Sequence, residues 1–223
     1  MTSFYNEHSK VWVSVDCIVF GFDEGKLRLL IGRRKMNPGC GEWSLYGGFV
    51  GPEESLDEAA RRVLYELTGL KELFMKQVGA FGKIDRDPGD RVISVAYCAL
   101  IEVKKYDHEL CEKHDVQWVD IDSLPVLYSD HNEMVHNAIV LLRNLLGSEA
   151  ISYNLLPESF TLTQLQDIHE AILGHAIDKR NFRKKMKDSD ILEPTGEIDK
   201  ETSRRGAALY RFSNSTILRG SGK

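Results

Sequence analysis

The chain has 223 residues, of which 42% are hydrophobic and 28% are charged, and its formal net charge is −5. These values are typical of a globular protein with one large or two unequal domains. No apolar run approaches the ~18 residues that a transmembrane helix needs, and the N-terminal MTSFYNEHSK lacks the basic and apolar regions of a secretory signal. We therefore expect a cytoplasmic protein without membrane contacts.

Strand patterns dominate the first half of the chain. Two apolar, β-rich segments at 11–22 and 26–32 flank a DEG turn, which predicts a hairpin. A loop over 33–42 leads into a short strand over 43–50. Three further strands are predicted, in chain order, at QVGAFGKI, VISVAYCALIEV and DVQWVDID.

Two helices accompany these strands. The first is predicted to begin at Ser55, run to about Leu67 and stop at Gly69. The second is predicted from Asn132 to Leu146. Mixed strands and two helices around one sheet indicate an α/β or α+β sandwich. The apolar faces of the helices are Ala59, Val63, Leu64 and Leu67 in the first, and Met134, Ala138, Leu141, Leu142 and Leu145 in the second.

A different unit follows a predicted linker over 147–157. A helix over 160–174 has Thr163 as its expected N-cap and Gln166 three residues later, the spacing of a capping box. Asp178 is expected to cap a second helix that runs to about Lys187. Two β-like pieces, DILEPTG and AALYRFS, are joined by a polar loop. Helix, turn, basic helix and hairpin together are the outline of a winged helix-turn-helix.

The two parts of the chain carry net charges of opposite sign. Residues 151–223 carry a net charge of +2 and residues 1–150 a net charge of −7. The segment KRNFRKKMK has six basic residues in nine and no acidic one. Such a cluster indicates an anion-binding element, although a solvated helix face gives the same pattern.

The cysteines indicate no special chemistry. Cys17, Cys40, Cys98 and Cys111 form no CxxC pair, so neither a zinc site nor a disulfide framework is predicted. We expect reduced and mostly buried thiols.

Residues 48–70, GFVGPEESLDEAARRVLYELTGL, resemble the Nudix box of the nucleoside-diphosphate-X hydrolases. The segments LLIGRRKMNPGCGEWSLYGGFV and RDPGDRVISVAYCALI are also similar to that family, the second to its ADP-ribose-processing branch, so the resemblance covers roughly residues 8–146. It implies an α/β (α+β) Nudix α/β/α sandwich with a mixed sheet. The residues that fit the box are Gly48, Glu54, Arg62, Leu64, Glu66, Gly69 and Leu70.

The box departs from the family at two positions, Val63 and Leu67, where carboxylates are expected. In the family, three acidic groups on one helix face bind Mg²⁺, which neutralises pyrophosphate and activates water. Valine and leucine cannot ligate a metal. Glu54 or Glu58 could substitute only after rearrangement, and a structural ion pair is the favoured interpretation of Glu54 with Arg62. We therefore expect no catalytic residues, no metal site, no cofactor and no efficient hydrolysis.

The basic helix is predicted to contact DNA. Phe182 and Met186, four residues apart, would face inward and leave the basic residues outward. Lysine and arginine bind phosphates, while arginine and asparagine also read base edges. A small helical domain for protein contacts is the alternative. The predicted DNA-binding residues are Thr163, Gln164, Lys179, Arg180, Asn181, Arg183, Lys184, Lys187 and, on the wing, Arg204 and Arg205.

A degenerate Nudix domain followed by a winged helix resembles the Nudix-related transcriptional regulators. TLTQLQDIHEAILG, DKRNFRKKM and LYRF are similar to the C-terminal domain of that family. The resemblance implies a homodimer on double-stranded DNA with a palindromic operator, with residues 1–148 as the ligand-sensing and dimerisation domain and 149–223 as the DNA-binding domain.

The family contains members that sense ADP-ribose-type ligands and members that control sugar catabolism, and the chain is most similar to its L-arabinose-responsive branch. We therefore predict a ligand-responsive repressor of L-arabinose utilisation genes. The effector is expected in the old Nudix pocket, with Arg33, Arg34, Tyr46 and Glu66 as candidate contacts. The alternatives are a hydrolase of ADP-ribose-like nucleoside diphosphates with an accessory basic domain, and a bifunctional enzyme and regulator.

Overall fold

The computed structural model describes residues 8–70, 73–103, 112–146, 151–200 and 206–213, without the side chain at 153. The strands in these ranges are β1 Trp12–Asp23, β2 Lys26–Arg33, β3 Trp43–Ser44, β4 Tyr46–Phe49, β5 Phe74–Phe81, β6 Val92–Glu102, β7 Val116–Asp120, β8 Phe160–Thr161, β9 Leu192–Asp199 and β10 Ala207–Phe212. The α-helices that lie wholly within these ranges are α1 Leu56–Thr68, α2 His131–Leu145, α3 Leu162–Leu173 and α4 Lys179–Lys187.

A mixed sheet forms the first unit, as predicted, but it has seven strands rather than six, since the single strand expected over 43–50 is divided into β3 and β4. Its order is β3-β2-β1-β6-β5, with β4 paired to β1 and β7 paired to β2. The pairing of β1 with β6 is parallel, and the other pairings are antiparallel. Because side chains alternate along a strand, β1 directs Val15, Cys17 and Val19 to one face and Ile18 and Phe20 to the other. Both faces of the sheet are therefore apolar and need a cover.

Helix α1 covers the first face. Ser55 caps it in a reciprocal box with Glu58, and Gly69 ends it in the left-handed conformation, φ 70°. The boundaries predicted from the sequence are confirmed. The buried residues of α1 are Ala59, Ala60, Val63, Leu64, Leu67 and Thr68.

Helix α2 covers the second face. It begins at His131 and buries Met134, Val135, Ala138 and Leu142. Leu141 was predicted to face the core, but its side chain is only partly buried. Val135 takes its place in the core, because it lies next to Met134 and Ala138 on the same face.

The C-terminal unit is a winged helix, as predicted, with a three-stranded sheet in the order β8-β10-β9 beside α3 and α4. The cap of α3 is Thr161, so the prediction of Thr163 is wrong. Thr161 Oγ1 accepts a hydrogen bond from the Gln164 amide at 3.2 Å, and the Gln164 side chain returns to the Thr161 amide at 2.8 Å. The helix therefore starts two residues earlier than expected.

The two units share one apolar core. The cluster on the α2 face of the sheet continues through residues of the C-terminal unit, and Arg143 on α2 donates a hydrogen bond from Nε to the Ile172 carbonyl of α3 at 2.9 Å. The linker prediction is consequently wrong for 151–157, while 147–150 lie outside the described residues. The C-terminal members of the cluster are Ile151, Leu155, Leu156, Phe160, Leu162, Leu165, Ile168, Ile172, Phe182, Met186 and Phe212.

No helix in the described part of the chain is long and apolar enough to cross a membrane.

Candidate functional site

The two aliphatic residues of the box helix are core residues. Val63 and Leu67 are each only 1% exposed and lie in the cluster that contains Val15, Cys17 and Val19. A Cβ added to Gly48 on β4 would lie 3.0 Å from Val63 Cγ2. The helix face that would offer carboxylates in a Nudix enzyme is thus filled with hydrocarbon and closed against the sheet.

The remaining acidic groups of the box have other partners. Arg62 Nη2 and Nε donate to Glu54 at 2.7 and 3.0 Å, and the Gly51 amide donates to the same carboxylate at 2.7 Å. These hydrogen bonds lower the pKa of Glu54 to about 2, and the bonds from Arg62 have the largest effect. The predicted ion pair between Glu54 and Arg62 is confirmed. Glu58 accepts hydrogen bonds from Ser55 in the N-cap.

The donor set does not fit the Mg²⁺ that a Nudix enzyme binds. Of the three box positions expected to be acidic, only Glu66 retains a carboxylate, and that carboxylate lies 3.5 Å from Arg62 Nη1. Hard divalent cations need several oxygen ligands at one point. Within the described ranges, no group of three or more His, Cys, Asp or Glu side chains could hold a metal ion.

A small polar patch remains beside the box. The Tyr46 hydroxyl lies 3.3 Å from His114 Nδ1, and the two rings meet edge to face at 5.8 Å. The pKa of Tyr46 is raised mainly by burial of its hydroxyl and, to a smaller extent, by the negative charge of Glu66. The structure therefore brings Tyr46 and Glu66 together. Sequence reasoning missed His114, because it lies in a polar stretch before β7 that carries no motif.

Arg33 and Arg34 lie on the other face of the sheet. The Arg33 guanidinium stacks on Trp43 at 3.5 Å from its ring centroid, and that of Arg34 stacks on Tyr128 at 4.1 Å. Both aromatic rings belong to the side covered by α2. The four residues predicted to contact one ligand are thus divided between the two faces of the sheet.

Helix α4 presents a basic surface. Phe182 and Met186 are buried, as predicted, and Asp178 caps the helix by accepting from the Asn181 amide at 2.7 Å. A helix with two inward residues four apart exposes the rest of its circumference. The exposed cationic and amide residues are Lys179, Arg180, Asn181, Lys184, Lys185 and Lys187; of these, Lys185 was not among the predicted contacts.

Other predicted DNA contacts have structural partners. Arg183 Nη2 donates to Thr163 Oγ1 at 3.0 Å, which ties α4 to the first turn of α3. Gln164 is half-buried and its side chain completes the cap of α3. Arg204 and Arg205 lie outside the described residues.

A half-buried histidine links α3 to α4. The His169 ring meets Phe182 edge to face at 5.1 Å, and its Nε2 lies 3.4 Å from Ser152 Oγ. Burial, and then the nearby Lys185, lower the pKa of His169 from 6.5 to about 4. The neutral ring is therefore part of the folded winged helix.

We expect the protein to lose stability as the pH falls from about 6.5 to about 4, since the unfolded chain binds a proton at His169 over this window and the folded chain does not. Allowing for partial exposure, the contribution is about 2 kcal/mol. Urea unfolding across this window tests it. His169→Gln should reduce the pH dependence, while His136→Gln, on the exposed side of α2, should leave it unchanged; equal slopes in both variants would contradict the assignment. His131, whose pKa is also lowered by burial, keeps part of the dependence in every variant.

Comparisons with known proteins agree with this division of the chain. A NUDIX domain matches residues 10–138, and an NrtR DNA-binding winged helix domain matches residues 152–212. The ADPR responsive transcriptional repressor NtrR of Acinetobacter baylyi is 36% identical over 205 residues, which are 90% of this chain and 82% of that protein. An ADP-ribose pyrophosphatase of Methanocaldococcus jannaschii is 32% identical over 126 residues, 55% of this chain and 70% of the enzyme.

The structural comparison extends over both units. The crystal structure of Shewanella oneidensis NrtR complexed with a 27mer DNA matches with a TM-score of 0.82 at 29% identity, covering 93% of this chain and 96% of that one. The fold of a Nudix domain followed by a winged helix, with the two units in a similar arrangement, is therefore shared with a protein whose structure was solved on DNA.

Proposed function

Because the chain belongs to the Nudix family and to its NrtR-type members with a C-terminal winged helix, we propose that it is a transcriptional repressor that binds an operator and releases it when a small metabolite binds. One observation carries the proposal. The box helix buries Val63 and Leu67 in the core of the Nudix unit, and the same chain carries an exposed basic helix in a winged helix unit. The sensor domain keeps the fold of an enzyme without its metal ligands.

DNA binding is proposed to use α4 as the recognition helix. Arg180, Lys184 and Lys187 lie on one exposed face, at the i, i+4 and i+7 spacing, with Asn181 beside them. Such residues suit both phosphate contacts and base edges in the major groove. We further propose that the protein acts in the cytosol as a homodimer through its Nudix domains, so that two α4 helices meet the half-sites of a palindromic operator.

Two effectors are proposed as candidates. The name of the Acinetobacter baylyi relative supports ADP-ribose. L-Arabinose, expected from the sequence, has no support among these relatives and remains a prediction. In either case the effector must bind the operator-free state more tightly than the operator-bound state, or the equilibrium does not shift.

A hydrolase with an accessory basic domain is the second candidate function. The similarity to the Methanocaldococcus jannaschii enzyme and the retained Glu54, Arg62 and Glu66 favour it. Turnover of ADP-ribose with Mg²⁺ or Mn²⁺, abolished by Glu66→Gln, would establish it. The filled helix face argues against it, because only one of three expected ligands is present.

We expect the purified protein to bind the promoter region of its own gene at a specific site, with an affinity that falls steeply as salt rises. Adding the effector should weaken that binding by roughly 5–150-fold, the range of a typical allosteric coupling. Gel shifts at several salt concentrations, with ADP-ribose and L-arabinose in separate arms, make the measurement. Equal affinity for unrelated DNA of the same length would refute operator recognition.

A further inference from the structure

The turn between α3 and α4 is held by side chains of α3. Gly174 ends α3 in the left-handed conformation, φ +77°. The Glu170 carboxylate accepts hydrogen bonds from the Ile177 amide and from Gln166 Nε2, each at 2.9 Å, and Asp178 then caps α4. These contacts fix the path of the turn. They lie where the two helices meet, so they have little leverage over the angle at which α4 leaves α3.

A contact far from the turn joins the same two helices. Arg183 Nη2 donates a hydrogen bond to Thr163 Oγ1 at 3.0 Å. Thr163 is the second residue of α3 and lies about 15 Å along the helix from its end, while Arg183 lies about 6 Å from the start of α4. The bond therefore crosses the angle between the helices. A link of fixed length between two arms that meet at one point determines the angle between them.

The packing between the helices does not set this angle by itself. Phe182 and Met186 bury their side chains in the core, and the Phe182 ring meets His169 at a centroid distance of 5.1 Å. Apolar contacts hold surfaces together without a preferred direction. A hydrogen bond from a planar guanidinium has a narrow range of angles and lengths. The bond between Arg183 and Thr163 supplies the direction that the apolar packing lacks.

The surroundings of Arg183 differ from those of the other basic residues of α4. Arg180 and Lys184 are exposed, whereas Arg183 is partly buried beside Phe182. Its Nε is buried and has no hydrogen-bond partner among the described residues. A buried donor without an acceptor costs free energy, and an unconstrained arginine would turn that group toward water. The guanidinium is therefore held against the protein, with Nη2 on Thr163, and is poorly placed to meet a DNA phosphate.

We propose that the Arg183–Thr163 pair acts as a positioning device that sets the angle of the recognition helix, and that it determines specificity for the operator rather than contact with phosphates. The inference rests on the proposed DNA binding. It reassigns Arg183 and Thr163, which the sequence predicted to be DNA contacts.

The length of α4 makes specific binding sensitive to this angle. Lys187 lies about 12 Å from the start of the helix, so a tilt of about 10° would move it by about 2 Å. Hydrogen bonds to base edges do not tolerate such a shift. Contacts from flexible lysines to phosphates do, because the lysine side chain adjusts its reach. Loss of the pair should therefore weaken binding to the operator much more than binding to unrelated DNA.

A double-mutant cycle on the full-length protein tests the proposal. Arg183→Gln and Thr163→Val each remove one partner of the bond. Each should lower affinity for the promoter region of the protein's own gene about tenfold, with little effect on unrelated DNA of the same length and with the salt slope of the wild type. The double variant should bind no more weakly than either single variant, because the two residues act through one bond. Gel shifts at several salt concentrations make the measurement.

Two further variants separate positioning from contact. Lys184→Gln removes an exposed charge from the same helix, and it should weaken binding to both DNAs and lower the salt slope by about one. Thr163→Ser keeps the hydroxyl and should rescue the affinity that Thr163→Val loses. Neither Arg183 nor Thr163 belongs to the apolar core, so the melting temperatures of the variants should stay close to that of the wild type.

The inference is overturned if Arg183→Gln lowers the salt slope by about one and weakens binding to both DNAs alike. It is also overturned if Thr163→Val binds the operator like the wild type, or if the losses of the two single variants add in the double variant. A wild type with equal affinity for both DNAs refutes operator recognition itself, and the role of the pair with it. Specific binding by the wild type together with normal binding by Thr163→Val removes this inference alone, so the two failures are distinguishable.

Discussion

Replacing Arg180 and Lys184 together by alanine should weaken operator binding by about two orders of magnitude or more near physiological salt. Both side chains are exposed and lie one turn apart on the same face of α4. A lost base contact costs about 1–3 kcal/mol, and each lost phosphate contact reduces the salt slope by about one. The double variant should therefore show both a lower affinity and a salt slope that is shallower by one to two.

The fold should survive this change, because the packing of α4 depends on Phe182 and Met186. The melting temperature of the variant is the check. The matched control is Lys10→Ala with Arg61→Ala, which removes the same charge from exposed positions in the Nudix unit. If the control loses as much affinity as the α4 variant, general charge drives binding and α4 is not the recognition helix.

Local patterns in the sequence predicted local structure well. The limits of α1 follow from Ser55 and Gly69, and the inward pair Phe182 and Met186 follows from helical spacing. The prediction of the N-cap of α3 failed for a physical reason. Thr161 with Gln164 and Thr163 with Gln166 have the same spacing, so both pairs fit a capping box. The choice between them depends on tertiary burial, since Phe160 and Thr161 pair with β10.

The buried polar network on the α2 face of the sheet could not be predicted in the same way. Asp16, Arg86 and Asp130 are far apart in sequence and meet only when β1, the loop before β6 and the start of α2 are assembled. Asp16 in particular looks like one polar residue in an apolar strand. The box, by contrast, is a contiguous motif, so its two aliphatic positions were visible at once. Helical spacing also placed Val63 and Leu67 on the apolar face of this helix, and the structure confirms that both are buried in the core.

Placing glutamate at both aliphatic box positions, Val63→Glu with Leu67→Glu, should lower the free energy of unfolding by roughly 3–5 kcal/mol at neutral pH and create no hydrolase activity. Both positions are 1% exposed within the apolar cluster on the α1 side of the sheet, so each new carboxylate loses its hydration without gaining a partner. Urea unfolding and an ADP-ribose turnover assay with Mg²⁺ make the two measurements.

The matched control replaces the same residues by glutamine, which has nearly the shape of glutamate without its charge. Burial raises the pKa of a carboxyl group, so the folded glutamate variant binds protons more readily than the unfolded chain and should regain stability as the pH falls from about 7 to about 5, whereas the glutamine variant should not. A glutamate variant that is instead stabilised by Mg²⁺ and cleaves ADP-ribose would mean that the helix still presents an open metal site. In that case the loss of two carboxylates would be the only barrier to catalysis, and the sensor would be an enzyme pocket rather than a repacked core.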